Sequence, residues 1–155
     1  MIPTLGATAP DFTLYNTEKQ AVSLSAYKGR KVVLLFFPLA FTSTCTAELC
    51  SVRDDIARFN QAGADVLGIS VDTVFTLKKF KEEQGLNFEL LSDFNKTVSE
   101  AYGCLYDTFI LDMKGVSKRS AFVIDAEGII RYAEVLEKAG DLPDLEQIKT
   151  LLQTL

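Results

Sequence analysis

The run "KVVLLFFP", Lys31 to Pro38, limits the possible folds more than any other feature of the chain. The apolar stretch after Lys31 has no polar face to turn toward water, so a strand formed here must be covered on both sides. Pro38 ends it, because proline donates nothing to a central ladder. "ADVLGISV", starting at Ala64, has the same character. Strands of this kind need helices packed over both faces, and the intervening sequence offers them. Leu49, Val52, Ile56 and Phe59 recur at helical spacing, and Gly63 closes that pattern. "TLKKFKEEQG" reads as a charged surface helix ending at Gly85, "NFELLSD" as a short extended segment and "TVSEAYG" as a helix. "SAFVIDAEGIIRYAEV" is expected to form two strands around Glu127 and Gly128, followed by a helix with Leu145, Ile148 and Leu152 on one side. A short hairpin is expected around Asn16 to Lys19. The expected fold is α/β, with a central mixed β-sheet flanked by helices and an N-terminal β-hairpin, in a single domain spanning residues 1–155. No repeat, low-complexity segment or linker interrupts it.

Charge and residue counts then narrow the function. With 21 acidic residues against 16 basic and a net charge of -5, nucleic acid and anionic membrane are poor partners, and small molecules or proteins are better ones. No run reaches the length of a membrane span, and "MIPTLGATAPDFTLYNT" lacks the pattern of a secretory signal. The 3 cysteines cannot all pair within one chain, so they read as thiols in a reducing cytoplasm, where any disulfide would be transient. Histidine is absent altogether (0 residues), which removes Ser-His-Asp hydrolysis, Cys-His proteases, His-containing zinc sites and imidazole bases. An activated cysteine here would need arginine or lysine as its cation.

Two cysteines lie in "FPLAFTSTCTAELC", residues 37–50. Thr42, Ser43 and Thr44 are all good N-caps, and a cap at Thr44 places Cys45 in the first helical turn. There, free backbone N-H groups and the positive end of the helix dipole favour a thiolate. On a helix, Cys45 and Cys50 would sit about 140° apart around the axis with Cα atoms about 8.6 Å apart. A disulfide needs roughly 4.4 to 6.8 Å. The pair is therefore either unrelated or a redox switch that requires the first turn to unwind. A buried cysteine at the end of an apolar stripe is more often a small hydrophobe than a nucleophile. Cys50 lies off that stripe, beside Thr46, Arg53 and Ala57. Cys104, in "AYGCLYD", sits among apolar residues with no evident cap or cation and reads as structural.

Pro38, Thr42 and Cys45 match the PxxxTxxC motif, and the chain resembles the peroxiredoxins through them. "CTAELC" is similar to the CTxEAC of the peroxiredoxin Q, or bacterioferritin comigratory protein, subfamily. "FPLAFTSTC", "LLSDF", "EAYG" and "GIIRYAE" look like the AhpE-type branch, and the likeness runs from about residue 3 to residue 150. The resemblance implies a thioredoxin-like fold and a thiol peroxidase that needs no metal or organic cofactor. It also implies roles: Cys45 as the peroxidatic cysteine, Thr42 as a hydroxyl on the thiolate and peroxide, Pro38 as a shield against water, and Arg119 in "RSAFVID" as the stabilising cation. Glu48 matches an acidic position that orients an arginine, although a solvated carboxylate at a helix start explains it almost as well. Cys50 matches the resolving cysteine, giving an intramolecular disulfide for thioredoxin or a glutaredoxin-like dithiol to reduce. The loop departs from the peroxiredoxin Q pattern by reading Thr42-Ser43-Thr44-Cys45 where TPGC is usual, and AhpE-type proteins often lack a resolving cysteine and tend to dimerise.

The expected activity is reduction of hydrogen peroxide and organic hydroperoxides by a cytoplasmic monomer or homodimer. A one-cysteine peroxidase using an external thiol is the nearest alternative. A thiol-disulfide oxidoreductase on the same fold is disfavoured by the absence of a CxxC pair. A non-catalytic binding module would treat the cysteines as core.

Overall fold

The computed structural model describes residues 1–155. The apolar run forms β3 (Lys31–Phe36). On one side it pairs in parallel with β4 (Ala64–Ser70), which pairs in parallel with β5 (Glu89–Ser92). On the other side it pairs antiparallel with β6 (Ser120–Ile124), which turns back into β7 (Ile130–Val135). β1 (Thr13–Asn16) and β2 (Ala21–Ser23) form the N-terminal hairpin and join the sheet through β5, giving the order β2-β1-β5-β4-β3-β6-β7. This is the mixed sheet and the hairpin that the sequence pattern implies.

Strand alternation divides β3 between two cores. Val33 and Leu35, with Phe37 just beyond, face one; Val32, Leu34 and Phe36 face the other; and none is more than 1% exposed. That is the burial on both faces expected of an uninterrupted apolar run. The first core is closed by α1 (Ser43–Asp54), α2 (Ile56–Gln61), α3 (Val74–Gln84) and α5 (Leu145–Leu152), through residues such as Leu49, Phe59, Phe80 and Ile148. The second is closed by Val98 of α4 (Thr97–Ala101), by Tyr102 and by Phe12, Leu14 and Leu24. Tyr102 packs on Phe36 and Phe122 with ring centroids 5.5 and 5.1 Å away, and its hydroxyl donates to the Pro10 carbonyl at 2.7 Å. The arrangement is the thioredoxin-like one that the resemblance implies.

Two elements differ from expectation. The helix predicted to run through to Phe59 breaks at Asp55 (φ -116°, ψ 15°). The Asp55 carboxylate is bound there by Lys149 of α5 and by Arg58 at 3.3 Å, and aspartate is a weak helix former to begin with. α3 is more than a surface helix, since Leu77 and Phe80 are wholly buried beneath its charged face. It does end where expected, with Gly85 in the left-handed region at φ 60°. No helix is long and apolar enough to cross a membrane.

Candidate active site

The end of β3 delivers the chain into a loop that is anchored from the neighbouring strand. Pro38 is buried at the head of this loop. Next to it, the Asp72 carboxylate accepts the Ala40 N-H at 2.8 Å and the Ser70 hydroxyl at 2.7 Å. Phe41 then turns the backbone through a positive φ of 68° and sets its ring edge-on against Phe80, 5.1 Å between centroids. This turn decides where α1 begins. Thr42 is the N-cap, with extended backbone (φ -83°, ψ 153°), and its carbonyl accepts both the N-H and the hydroxyl of Thr46, at 2.9 and 2.8 Å. The expected cap at Thr44 is therefore two residues late: three adjacent good caps leave propensity without a preference, and the reversal at Phe41 makes the choice. Cys45 is the third helical residue, still in the first turn, and no side chain caps the amides there.

The Thr42 hydroxyl does not donate to Cys45. It donates to the Leu39 carbonyl at 2.8 Å, a stronger acceptor than a thiol, and its oxygen keeps lone pairs with which to accept.

Arg119 reaches the same point through strand register. Ser120 pairs with Phe36, so the residue before Ser120 arrives beside the end of β3, where the loop to α1 starts. Its Nη2 donates to the Cys45 sulfur at 3.2 Å and its Nη1 to Glu48 Oε1 at 2.8 Å. Behind them, the Ala139 carbonyl accepts from Nη2 at 3.0 Å and from Nε at 3.3 Å. Arg119 and Glu48 are each 1% exposed and Cys45 is fully buried, so the three groups share a water-poor space. Glu48 is not a solvated carboxylate at the helix start but is buried against the Arg119 guanidinium. Burial pushes its carboxyl up from the usual 4.5 to about 7 against the opposing pull of Arg119, and its Oε2 has no hydrogen-bond partner. Burial also works against the Arg119 charge, but Glu48 and Cys45 more than offset it.

The other two cysteines lie elsewhere. Cys50 is half-buried and its sulfur donates to Gln84 Oε1 at 3.5 Å, at the end of α3. All three thiols are free, and α1 is continuous through positions 45 and 50. Cys104 is fully buried in the second core, where burial pushes its thiol up to about 12. Ser120 and, contrary to the sequence reading, a cation, Lys118, lower it only in part.

Two contributors escaped the sequence reading. Ala139 acts through its carbonyl, which no side chain advertises. Asp72 had a usable signal: an acid directly after a buried strand parallel to β3, at the carboxyl end where open α/β sheets place their sites. No cluster of His, Cys, Asp or Glu is arranged to hold a metal ion. A cleft lined by Leu24, Tyr27, Arg30, Val32 and Ile124 lies at the opposite end of β3 and includes none of the predicted site residues.

The model of the AhpC/TSA family matches residues 5–133. Alkyl hydroperoxide reductase E of Mycobacterium tuberculosis is 43% identical over 143 residues, covering 90% of each protein. A putative peroxiredoxin bcp of Coxiella burnetii is 44% identical over 128 residues, covering 81% of this chain and 84% of its own length. Among solved structures, peroxidoxin BcpB from Mycobacterium tuberculosis superposes with a TM-score of 0.86 at 31% identity, covering 97% of both chains.

Proposed function

Because this chain belongs to the AhpC/TSA family and is an enzyme, a peroxidase of the peroxiredoxin type, we propose that Cys45 is its peroxidatic thiol and Cys50 its resolving thiol. The observation that carries the proposal is Arg119, a buried cation placed on the Cys45 sulfur in a chain with no histidine. The Cys45 thiolate attacks the terminal oxygen of a hydroperoxide. The S-O bond forms, the O-O bond breaks, Cys45 becomes a sulfenic acid, and the departing alkoxide or hydroxide takes a proton to leave as alcohol or water. Arg119 and the amides of Thr44 and Cys45 stabilise the charge that moves from sulfur to oxygen. The Thr42 oxygen accepts from the hydroperoxide O-H, and Pro38 keeps bulk water from the sulfur. Glu48 positions the guanidinium through Nη1.

The Cys50 thiol then attacks the Cys45 sulfenic sulfur. A disulfide forms, and hydroxide leaves with the thiol proton as water. A dithiol protein such as thioredoxin, or a glutaredoxin-like one, reduces the bond by exchange. Hydrogen peroxide and alkyl hydroperoxides are the proposed substrates, the latter in keeping with the name of the mycobacterial relative. A cytoplasmic location suits such a cycle. The second reading is a one-cysteine cycle completed by an external thiol; it draws support from the position of Cys50, which is turned toward α3 on an unbroken helix.

One equivalent of hydrogen peroxide added to reduced protein tests both readings by peptide mass. Loss of two hydrogens with Cys45 joined to Cys50 is expected. A stable sulfenic acid at Cys45 would favour the external thiol, and no change within minutes would sink the peroxidase role of Cys45.

A further inference from the structure

The end of α3 is fastened to the part of α1 that carries Cys50. The Cys50 thiol donates to the Gln84 side-chain carbonyl at 3.5 Å. One turn further on, Arg53 donates through Nη1 to the backbone carbonyl of the same Gln84, and the Arg53 carbonyl accepts from Asn87 Nδ2 at 3.2 Å. Gln84 is itself well fixed as the last residue of α3, followed by the left-handed Gly85. None of these contacts touches Cys45, Arg119 or Glu48. They secure only the second thiol.

We propose that Gln84 is a latch on the resolving step: its side-chain carbonyl holds the Cys50 thiol docked against α3, and the rate of its release sets how fast the Cys45 sulfenic acid is resolved. The proposal rests on the reading of Cys50 as the resolving cysteine. The contact ties the sulfur to α3, away from Cys45, so the thiol reaches the sulfenic acid only after release. The charged groups at this point are Arg53, whose Nη1 is committed to the Gln84 backbone, and Asp54, which accepts from Arg53 Nε at 2.9 Å.

The latch matters because the sulfenic acid has two competing fates. Condensation with Cys50 releases water and gives the disulfide. Attack on a second hydroperoxide breaks another O-O bond, oxidises the sulfur to sulfinic acid and releases water or alcohol. A slower release of Cys50 lengthens the life of the sulfenic acid. Gln84 is therefore a positioning residue that sets the peroxide dose at which the enzyme inactivates itself.

Two substitutions separate the hydrogen bond from mere packing. Gln84→Met keeps the side-chain length and removes the acceptor; Gln84→Glu keeps an acceptor. In the full-length protein, the rate of Cys50 alkylation by iodoacetamide is followed in the reduced state. Conversion of sulfenic acid to disulfide after one equivalent of hydrogen peroxide is followed by quench-flow mass spectrometry. For Gln84→Met, both rates are expected to rise about fivefold, the equivalent of one ordinary hydrogen bond. The initial oxidation of Cys45 should stay at the wild-type rate, showing that the site is intact, and the peroxide dose giving half sulfinic acid should rise. Gln84→Glu should return both rates to wild type or below. Alkylation rates that are equal in wild type, Met and Glu variants would overturn the latch. If alkylation responds as expected but the wild type forms no Cys45–Cys50 disulfide, the resolving role falls instead, and with it the control over resolution.

Discussion

One guanidinium at position 119 serves two partners at once, Nη1 on Glu48 and Nη2 on Cys45, with the Ala139 carbonyl fixing it from behind. An ammonium is a point charge and cannot reproduce that fork. Arg119→Lys should therefore keep the net charge and still lower kcat/KM for hydrogen peroxide about a hundredfold, the scale of losing an oriented donor to developing charge. Competition against a peroxidase of known rate measures this, and a loss below threefold would mean that charge alone suffices. Glu48 makes a second prediction. Its folded carboxyl titrates near 7 against an ordinary 4.5, so the unfolded state gives up its proton first. The contribution to stability is complete below about pH 4 and is lost as pH rises through 7, by roughly 3 kcal/mol at most. Glu48→Gln removes this loss: the difference in unfolding free energy between variant and wild type should move in favour of the variant from pH 5 to pH 8, whereas parallel urea titrations would show an unshifted carboxyl. At this scale the sequence was legible only in part. Cys45 and Arg119 stand out through the motifs they share with a family; on its own terms Arg119 is an arginine at the start of a strand. Whether Glu48 faces water or a buried cation depends on what lies across from it, which helix periodicity does not record.

The loop and first turn of α1 are where local sequence leaves most freedom. β3 could be read from composition because burial on both faces requires an unbroken apolar run. The start of α1 could not, because Thr42, Ser43 and Thr44 cap almost equally well and the choice falls to Phe41 and to the Asp72 anchor on Ala40. Removing that anchor with Asp72→Ala leaves the Ala40 N-H and the Ser70 hydroxyl without their acceptor, at a cost of about 1–3 kcal/mol. A loosened loop should raise KM for hydroperoxide more than it lowers the rate at saturation, and an unchanged KM would show that the loop is held by other means. The break at Asp55 has a similar origin, since its partner Lys149 lies 94 residues away along the chain. The first turn also bears on the proposed resolution by Cys50. Ser43 is the first helical residue and Thr42 before it is already extended, so Ser43→Pro fits without strain. It should stabilise the turn by about 0.5–1 kcal/mol and slow Cys45–Cys50 bond formation roughly two- to fivefold. An unchanged rate would mean that the bond forms without that turn unwinding.

Across the whole molecule, β3 belongs to both cores, with Val33 and Leu35 under the α1, α2, α3 and α5 face and Leu34 and Phe36 under the face closed by Tyr102. Neither core can come apart without exposing the central strand, so the chain is expected to unfold in one transition. Phe36→Ala should test this directly. Its ring is fully buried between Tyr102 and Phe122, and its loss should destabilise the protein by about 3–5 kcal/mol. The tyrosine signal, to which Tyr102 and Tyr27 contribute from the second core and Tyr132 from the first, and the far-ultraviolet signal from all helices should fall together, and two separated transitions would reveal two units. Local opening at α1 should be independent of this. The first turn contributes Cys45 to the core, while Leu49 and Val52 anchor the helix beyond it. Closing the Cys45–Cys50 bond should thus free the amides between residues 43 and 50 for rapid hydrogen exchange, while β3, β4 and β6, paired on both sides, keep the protection they have in the reduced protein. Loss of protection in those strands on oxidation would mean that resolution disrupts the sheet, and the proposed cycle would then carry a folding step in every turnover.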